Sequence, residues 1–247
     1  MDIKSLYHNY LQYKETERAH GKDSFFHASS AGSCYKKVLY RHFDYPQTPM
    51  DDRSYRLLRL GTIVHKDFEE AINWRYKETD YSDEKVYTEK EIKIEDLNVV
   101  GTYDAGYWQL KENVFKVYDL KTAAAYKWSK KFGRKINRDN DSDRNYKLQI
   151  GTYALGIKEE LNPDKIEMYL VWYNKNTSMM REQIISPEWI DKAYEYWVEL
   201  NEILEESGKR FTEDLEYGNS VGVPFQSWEC SYCQYSEICL NKKGSNK

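Results

Sequence analysis

Three residues near the middle of the chain have the types and spacing needed for hydrolytic phosphoryl chemistry: Asp104, Asp119 and Lys121. A turn at Lys111-Glu112-Asn113 would let Leu110 pair with Asn113. Antiparallel partners have residue numbers that add to a constant, so the same register sets Asp104 opposite Asp119. Opposed residues on one face have Cβ atoms roughly 4.5–5.5 Å apart, and like charges there repel unless a cation lies between them. An all-oxygen site of this kind suits Mg²⁺ or Mn²⁺. Lys121 is two residues beyond Asp119 and leaves the same face of the strand. Its ammonium can orient an attacking water or stabilise charge on a phosphoryl group. A bare D-x-K also occurs on ordinary surface strands, so the motif needs support from elsewhere in the chain.

Two helical segments offer that support. His65 and Glu69 are i, i+4 neighbours beside the apolar stripe Val64, Phe68 and Ile72, which makes His65 a candidate metal ligand with Glu69 behind it. Gln149 and Tyr153 share the same spacing and could present an amide and a phenol to a phosphate or base. Past Lys121, the residues Lys127, Lys130, Lys131, Arg134, Lys135 and Arg138 lie in a stretch without acids. Trp128 and Phe132 interleave with them, as on surfaces that bind single-stranded nucleic acid. Gly133, Asn137 and Asn140 suggest that this stretch is flexible, in the manner of a lid.

Cys34, Cys230, Cys233 and Cys239 are the four cysteines, the last three spaced C-x2-C-x5-C. Spacing leaves open two disulfides, a zinc site or an iron–sulfur cluster, and a cytosolic chain favours metal thiolate. Cytosolic is the expectation here. The N-terminus has no apolar core or small-residue cleavage site, and no apolar run is long enough to cross a bilayer. The net charge of -4 does not exclude a nucleic-acid partner, because carboxylates that hold metal also count as negative.

These residues need a scaffold that can position them. Helical patterning dominates up to Asp80, with segments around Cys34 to His42 and Arg53 to Lys77. Strands are expected at Lys85 to Ile94, Asn98 to Leu110 and Val114 to Lys121, followed by a helix from about Asn145 to Glu160. Ile166 to Tyr173 and Met179 to Ile185 alternate like paired strands about the turn Asn174 to Ser178, ahead of a helix from about Pro187 to Glu206. The fold class is therefore α/β, with a mixed central sheet flanked by helices.

Taken together, His65, Gly101-Thr-Tyr-Asp104, Asp119-Leu-Lys121 and Gln149-Ile-Gly-Thr-Tyr153 resemble the ordered motifs of the RecB-like branch of the PD-(D/E)XK nuclease superfamily. That order is H, G-x-x-D, (D/E)-x-K and Q-x-x-x-Y, and the resemblance covers roughly residues 30 to 240. Asp119 stands where many members carry Glu. The resemblance implies a restriction-endonuclease-like core. It also implies His65, Asp104, Asp119 and the Leu120 carbonyl as metal ligands and Lys121 as the catalytic lysine. Gln149 and Tyr153 would contact DNA or position the site.

The cysteines extend the likeness. One early cysteine and a terminal C-x2-C-x5-C are similar to the [4Fe–4S] nucleases, including the CRISPR-adaptation exonuclease family and the AddB-type helicase–nucleases. Lys36-Lys37 replaces their commoner Pro-Arg after the first cysteine. An iron–sulfur cluster on the four cysteines is thus implied over zinc, shielded by Trp228, Tyr232 and Tyr235. The expected organisation is one nuclease domain over residues 1–247. Residues 1–50 and 224–247 would be joined by the cluster, and residues 51–223 would form the core. The implied activity is Mg²⁺- or Mn²⁺-dependent exonuclease action on single-stranded DNA ends or flaps, as in repair or recombination. No P-loop is present, so a helicase or recombination partner would supply any motor. A silent DNA- or partner-binding module and a site-specific endonuclease are the alternatives.

Overall fold

The computed structural model describes residues 2–18, 25–76, 83–134, 142–207 and 227–239. In chain order the elements are α1 (Ile3–Arg18), β1 (Phe26–His27), α2 (Tyr35–His42), α3 (Asp52–Tyr76), β2 (Glu84–Ile94), β3 (Val99–Gln109), β4 (Val114–Ala123), α4 (Ala125–Phe132), α5 (Arg144–Leu161), β5 (Lys165–Asn174), β6 (Met180–Ile185) and α6 (Glu188–Ser207). The fold is α/β: a mixed sheet flanked by helices, in the strand order β1-β3-β4-β5-β6, with β2 also paired to β3. Two antiparallel neighbours bring β2, β3 and β4 together through short turns. β4 and β5 run parallel, so a crossover must join them, and α4 and α5 supply it.

Burial follows from this order. β4 and β5 are interior strands, and Phe115, Val117, Leu120, Met168, Leu170 and Trp172 on them are buried. α5 packs on the sheet through positions where a side chain would not fit. A Cβ at Gly101 would stand 2.6 Å from that of Ala28 and 2.9 Å from the Tyr153 ring. The glycine of G-x-x-D therefore lets α5 approach the strand that carries Asp104. On the far side of α5, the indole N–H of Trp197 donates to the Thr152 hydroxyl at 2.8 Å.

The chain divides into two compact units. One comprises Met1–Phe26, Ser33–Ile63 and Leu200–Lys247, and contains α1, α2 and the four cysteines. The other comprises His27–Gly32 and Val64–Glu199, and contains β2 to β6 with α4 and α5.

Residues 125–132 form a helix where the sequence suggests a flexible lid. The reason is packing: the Trp128 and Phe132 rings, one turn apart, touch at a tilt with centroids at 4.7 Å, and Phe132 meets the buried Trp172 edge-on at 5.7 Å. Lys135, Asn137, Arg138 and Asn140 lie outside the described residues. Among the described residues no helix is long and apolar enough to cross a membrane.

Candidate active site

The β3–β4 ladder runs from Gln109↔Val114 to Ala105↔Tyr118. Its register is the one expected from the turn, and one step further on it sets Asp104 against Asp119. Pairing stops at that step. Asp104 turns one carboxylate oxygen onto the backbone N–H of Leu120 at 2.5 Å and the other onto His65 Nδ1 at 3.0 Å. His65 comes from α3, and Glu69 follows it one turn later. Burial pushes the His65 imidazole down, but its bond to the Asp104 carboxylate outweighs this and leaves it above the ordinary histidine value.

Asp119 is 2% exposed and lies 2.7 Å from the Lys121 ammonium. The oxygen that faces the ammonium is Oδ2, and it is buried. Burial pushes its carboxyl up to about 6 despite Lys121, and Asp104 adds to the rise. Lys121 is lowered by burial but raised more by Asp119 and Asp104, so it stays cationic. Its ammonium also donates to Gln149 Oε1 at 2.9 Å, and the Gln149 amide donates to the Tyr153 hydroxyl at 2.6 Å. Gln149 and Tyr153 are both buried, so the structure turns them toward Lys121 and away from solvent.

Three residues of this site are not evident from motif spacing. Glu89 falls opposite Asp104 in the β2–β3 register, between Thr88↔Ala105 and Lys90↔Tyr103, with φ at +46°. Burial, Asp104 and Glu69 together raise its carboxyl. Tyr146 precedes Gln149 by three residues on the same face of α5, and its ring centroid lies 4.8 Å from the Lys121 ammonium. The third is Asp143, at the N-cap of α5. Its carboxylate makes no capping bond but receives Lys131, Lys147 at 2.9 Å and the Gln183 amide at 3.0 Å. Helix-face spacing could have pointed to Tyr146, and strand register to Glu89.

Asp143 is fully buried, and burial raises its carboxyl, but the bonds from Lys131, Lys147 and Gln183 outweigh this and hold it below the ordinary value. Replacing it with alanine strands two lysines and is expected to destabilise the protein by about 3–5 kcal/mol. A depressed carboxyl contributes stability that is complete above the ordinary carboxylate value of about 3.9 and is lost as pH falls through the folded-state value. In denaturant titrations, the gap between the wild type and Asp143→Asn should stay constant from pH 7 to about pH 5 and narrow below about pH 4. A gap still constant below about pH 4 would rule out the charge as its source.

Of the expected basic residues, Lys127 carries its ammonium 4.4 Å from the Tyr146 ring centroid, and Lys130 lies 5.8 Å from that of the exposed Tyr126. Lys131 is committed to Asp143. Arg134 is exposed at the end of this segment.

In the cysteine-bearing unit, Cys34 is the N-cap of α2. Burial pushes its thiol up to about 11, against backbone N–H bonds from Lys37 and Lys36. Tyr235 is buried and stacks on Tyr40 at 5.3 Å, whereas Tyr232 is 81% exposed. The Trp228 side chain lies outside the described residues. Among the described residues no three His, Cys, Asp or Glu side chains are grouped so that they could hold an ion.

The family model of the PD-(D/E)XK nuclease superfamily matches residues 38–240. No curated protein matches the sequence. Among solved structures, the crystal structure of SSO0001 aligns with a TM-score of 0.56 at 19% identity, over 95% of this chain and 96% of that one. A candidate exonuclease from Eubacterium rectale aligns with a TM-score of 0.51 at 15% identity, over 87% and 88%. At these identities both likenesses concern the fold.

Proposed function

The chain belongs to the PD-(D/E)XK nuclease superfamily, and from that premise we propose that it is a divalent-metal-dependent DNA exonuclease of the RecB-like, iron–sulfur branch, acting on single-stranded ends or flaps. The observation that carries this reading is Asp119, a carboxylate only 2% exposed, beside a buried lysine and in register with a second carboxylate. Two carboxylates held together in a buried place fit a hard cation.

His65, Asp104, Asp119 and the Leu120 carbonyl would hold Mg²⁺ or Mn²⁺ once His65 and Asp104 exchange their mutual bond, and Asp119 its Lys121 contact, for the ion. In their present contacts the side chains do not form an ion-holding group. The bound ion supplies Lewis acidity and lowers the pKa of a coordinated water. Lys121, kept cationic by its carboxylate neighbours, donates to the phosphoryl oxygens as negative charge builds on them. Gln149 fixes that ammonium, and Tyr153 fixes the Gln149 amide, so neither has to reach the strand. Lys127, Lys130 and Arg134 would face the DNA backbone, with Tyr126, 76% exposed, available for stacking. End-labelled strands blocked at either end, alongside a closed circle, test the reading. Cleavage from a free end with an intact circle is the expected outcome, and cutting of the circle would favour an endonuclease.

The four cysteines are proposed to hold a [4Fe–4S] cluster that joins the N- and C-terminal segments. Two backbone N–H groups directed at Cys34 suit a thiolate better than a neutral thiol, which supports metal ligation there.

Metal affinity should depend on pH. A ligating imidazole must be neutral, and Asp104 raises the His65 value, so binding must expel its proton. Mn²⁺ affinity is expected to fall about tenfold for each unit below the His65 value and to level off above it. Calorimetry in two buffers of different ionisation enthalpy would reveal the released proton. Affinity that stays flat from pH 5.5 to 8, roughly the range in which histidine titrates, would remove His65 from the ligand set.

A further inference from the structure

α5 turns Tyr146, Gln149 and Tyr153 (i, i+3 and i+7) toward one end of β4. Gln149 and Tyr153 serve Lys121 from one side. The Tyr146 ring serves it from another, and it serves a second cation as well. The Lys121 ammonium is 4.8 Å and the Lys127 ammonium 4.4 Å from the same ring centroid. The two charges are therefore at most 9.2 Å apart. Each is attracted to the ring face, but they repel one another. Lys121 is compensated by Asp119. Among the described residues Lys127 has no ion-pair partner, and only the ring holds it.

The position of Lys127 is built into the packing. Lys131 lies one turn further along the same face of α4 and is pinned by Asp143, three residues before Tyr146. Phe132 is seated on Trp172, and the backbone N–H of Ala125, at the start of α4, is held by the Asn176 side chain at 2.8 Å. A free surface lysine would need none of these anchors.

We infer that Lys121 and Lys127 seat two neighbouring phosphates of one strand, with Tyr146 as the positioning residue that sets their separation. This rests on the nuclease reading for Lys121 and adds to it a requirement. The site recognises a phosphodiester by the next phosphate along the strand, and an isolated phosphodiester lacks the second contact.

The test uses strands in which a single uncharged methylphosphonate linkage is stepped along the sequence. Binding is measured by fluorescence anisotropy in EDTA, so no metal or turnover is needed. For the wild type, a neutral linkage at either of two adjacent positions should weaken binding about tenfold, the loss of one charged hydrogen bond. Lys127→Ala should bind the fully charged strand that weakly, lose nothing more when the linkage at the Lys127 position is neutral, stay sensitive at the adjacent one, and show a salt slope shallower by about 0.7. Tyr146→Leu should lose the same sensitivity, and Tyr146→Phe, which keeps the ring, should regain it. With Mn²⁺ present, Lys127→Ala should raise KM, and Tyr146→Leu should also lower kcat, because Lys121 loses a wall of its seat.

Lys127→Ala that remains as sensitive to the neutral linkage as the wild type at both positions overturns the inference, as does Tyr146→Leu that matches Tyr146→Phe. Wild-type binding with no neutral-linkage effect at any position overturns it too. A protein that binds in this Lys127-dependent way but cuts nothing with any divalent ion refutes the nuclease reading and leaves the two-phosphate seat standing.

Discussion

Replacing Lys121 with alanine is expected to lower kcat for DNA cleavage by about 10²–10³-fold, the usual cost of removing one preorganised donor from developing negative charge. The donor is preorganised in this structure: Asp119, Gln149 and Tyr146 each hold the ammonium, and the Lys121 side chain is only 13% exposed. Misfolding is the obvious confounder, because the substitution leaves Asp119 buried without its cation. Asp119 has a way out. Burial already holds its carboxyl well above the ordinary carboxylate value with Lys121 beside it, so taking up a proton near neutral pH costs little, and less once the lysine is gone. The variant should therefore fold and melt cooperatively while failing to cut. Measured beside it, Gln149→Ala should lose less rate, because the ammonium keeps Asp119 and the ring. If Lys121→Ala cleaved at the wild-type rate, the activity would belong to another protein, and the site assignment would fall.

The second large effect is expected at the cysteines. Bringing residue 34 to residue 239 closes a loop of about two hundred residues, an entropic cost of several RT that strong metal–thiolate bonds can offset. Substituting alanine at Cys34, Cys230, Cys233 or Cys239 should give colourless, aggregation-prone protein. The loss of several kcal/mol of ligation would lower the melting temperature by about 10 °C or more. Iron and acid-labile sulfide, measured on protein purified without oxygen, should both be present and should both vanish in each variant. Zinc in place of iron, or a brown and soluble single variant, would refute the assignment. The cysteines lie in a different compact unit from Asp104 and Asp119, so cluster loss should act on folding and leave the site's pH behaviour unchanged in whatever protein stays soluble.

Much of the fold can be read from the chain because its signals are local. The alternation of apolar residues marks β2 to β6 to within a residue or two, and the turn residues before Val114 fix the β3–β4 register. That register is enough to set Asp104 against Asp119, since antiparallel pairing leaves no other freedom once the turn is chosen. Gly101 is a further example: its missing Cβ is a requirement of packing written into a single position.

What each polar side chain contacts was decided by tertiary structure alone. In the sequence, Lys127 and Lys131 are two members of one basic run; in the fold, one lies over Tyr146 and the other is committed to Asp143. Gln149 and Tyr153 read as residues that could meet a ligand, but α5 buries both against Lys121. Helical order at α4 likewise depends on Trp172, forty residues beyond Phe132. Periodicity and turn chemistry are set by neighbours along the chain. The partner of a charge is set by whichever elements pack beside it, and no spacing in the sequence records that.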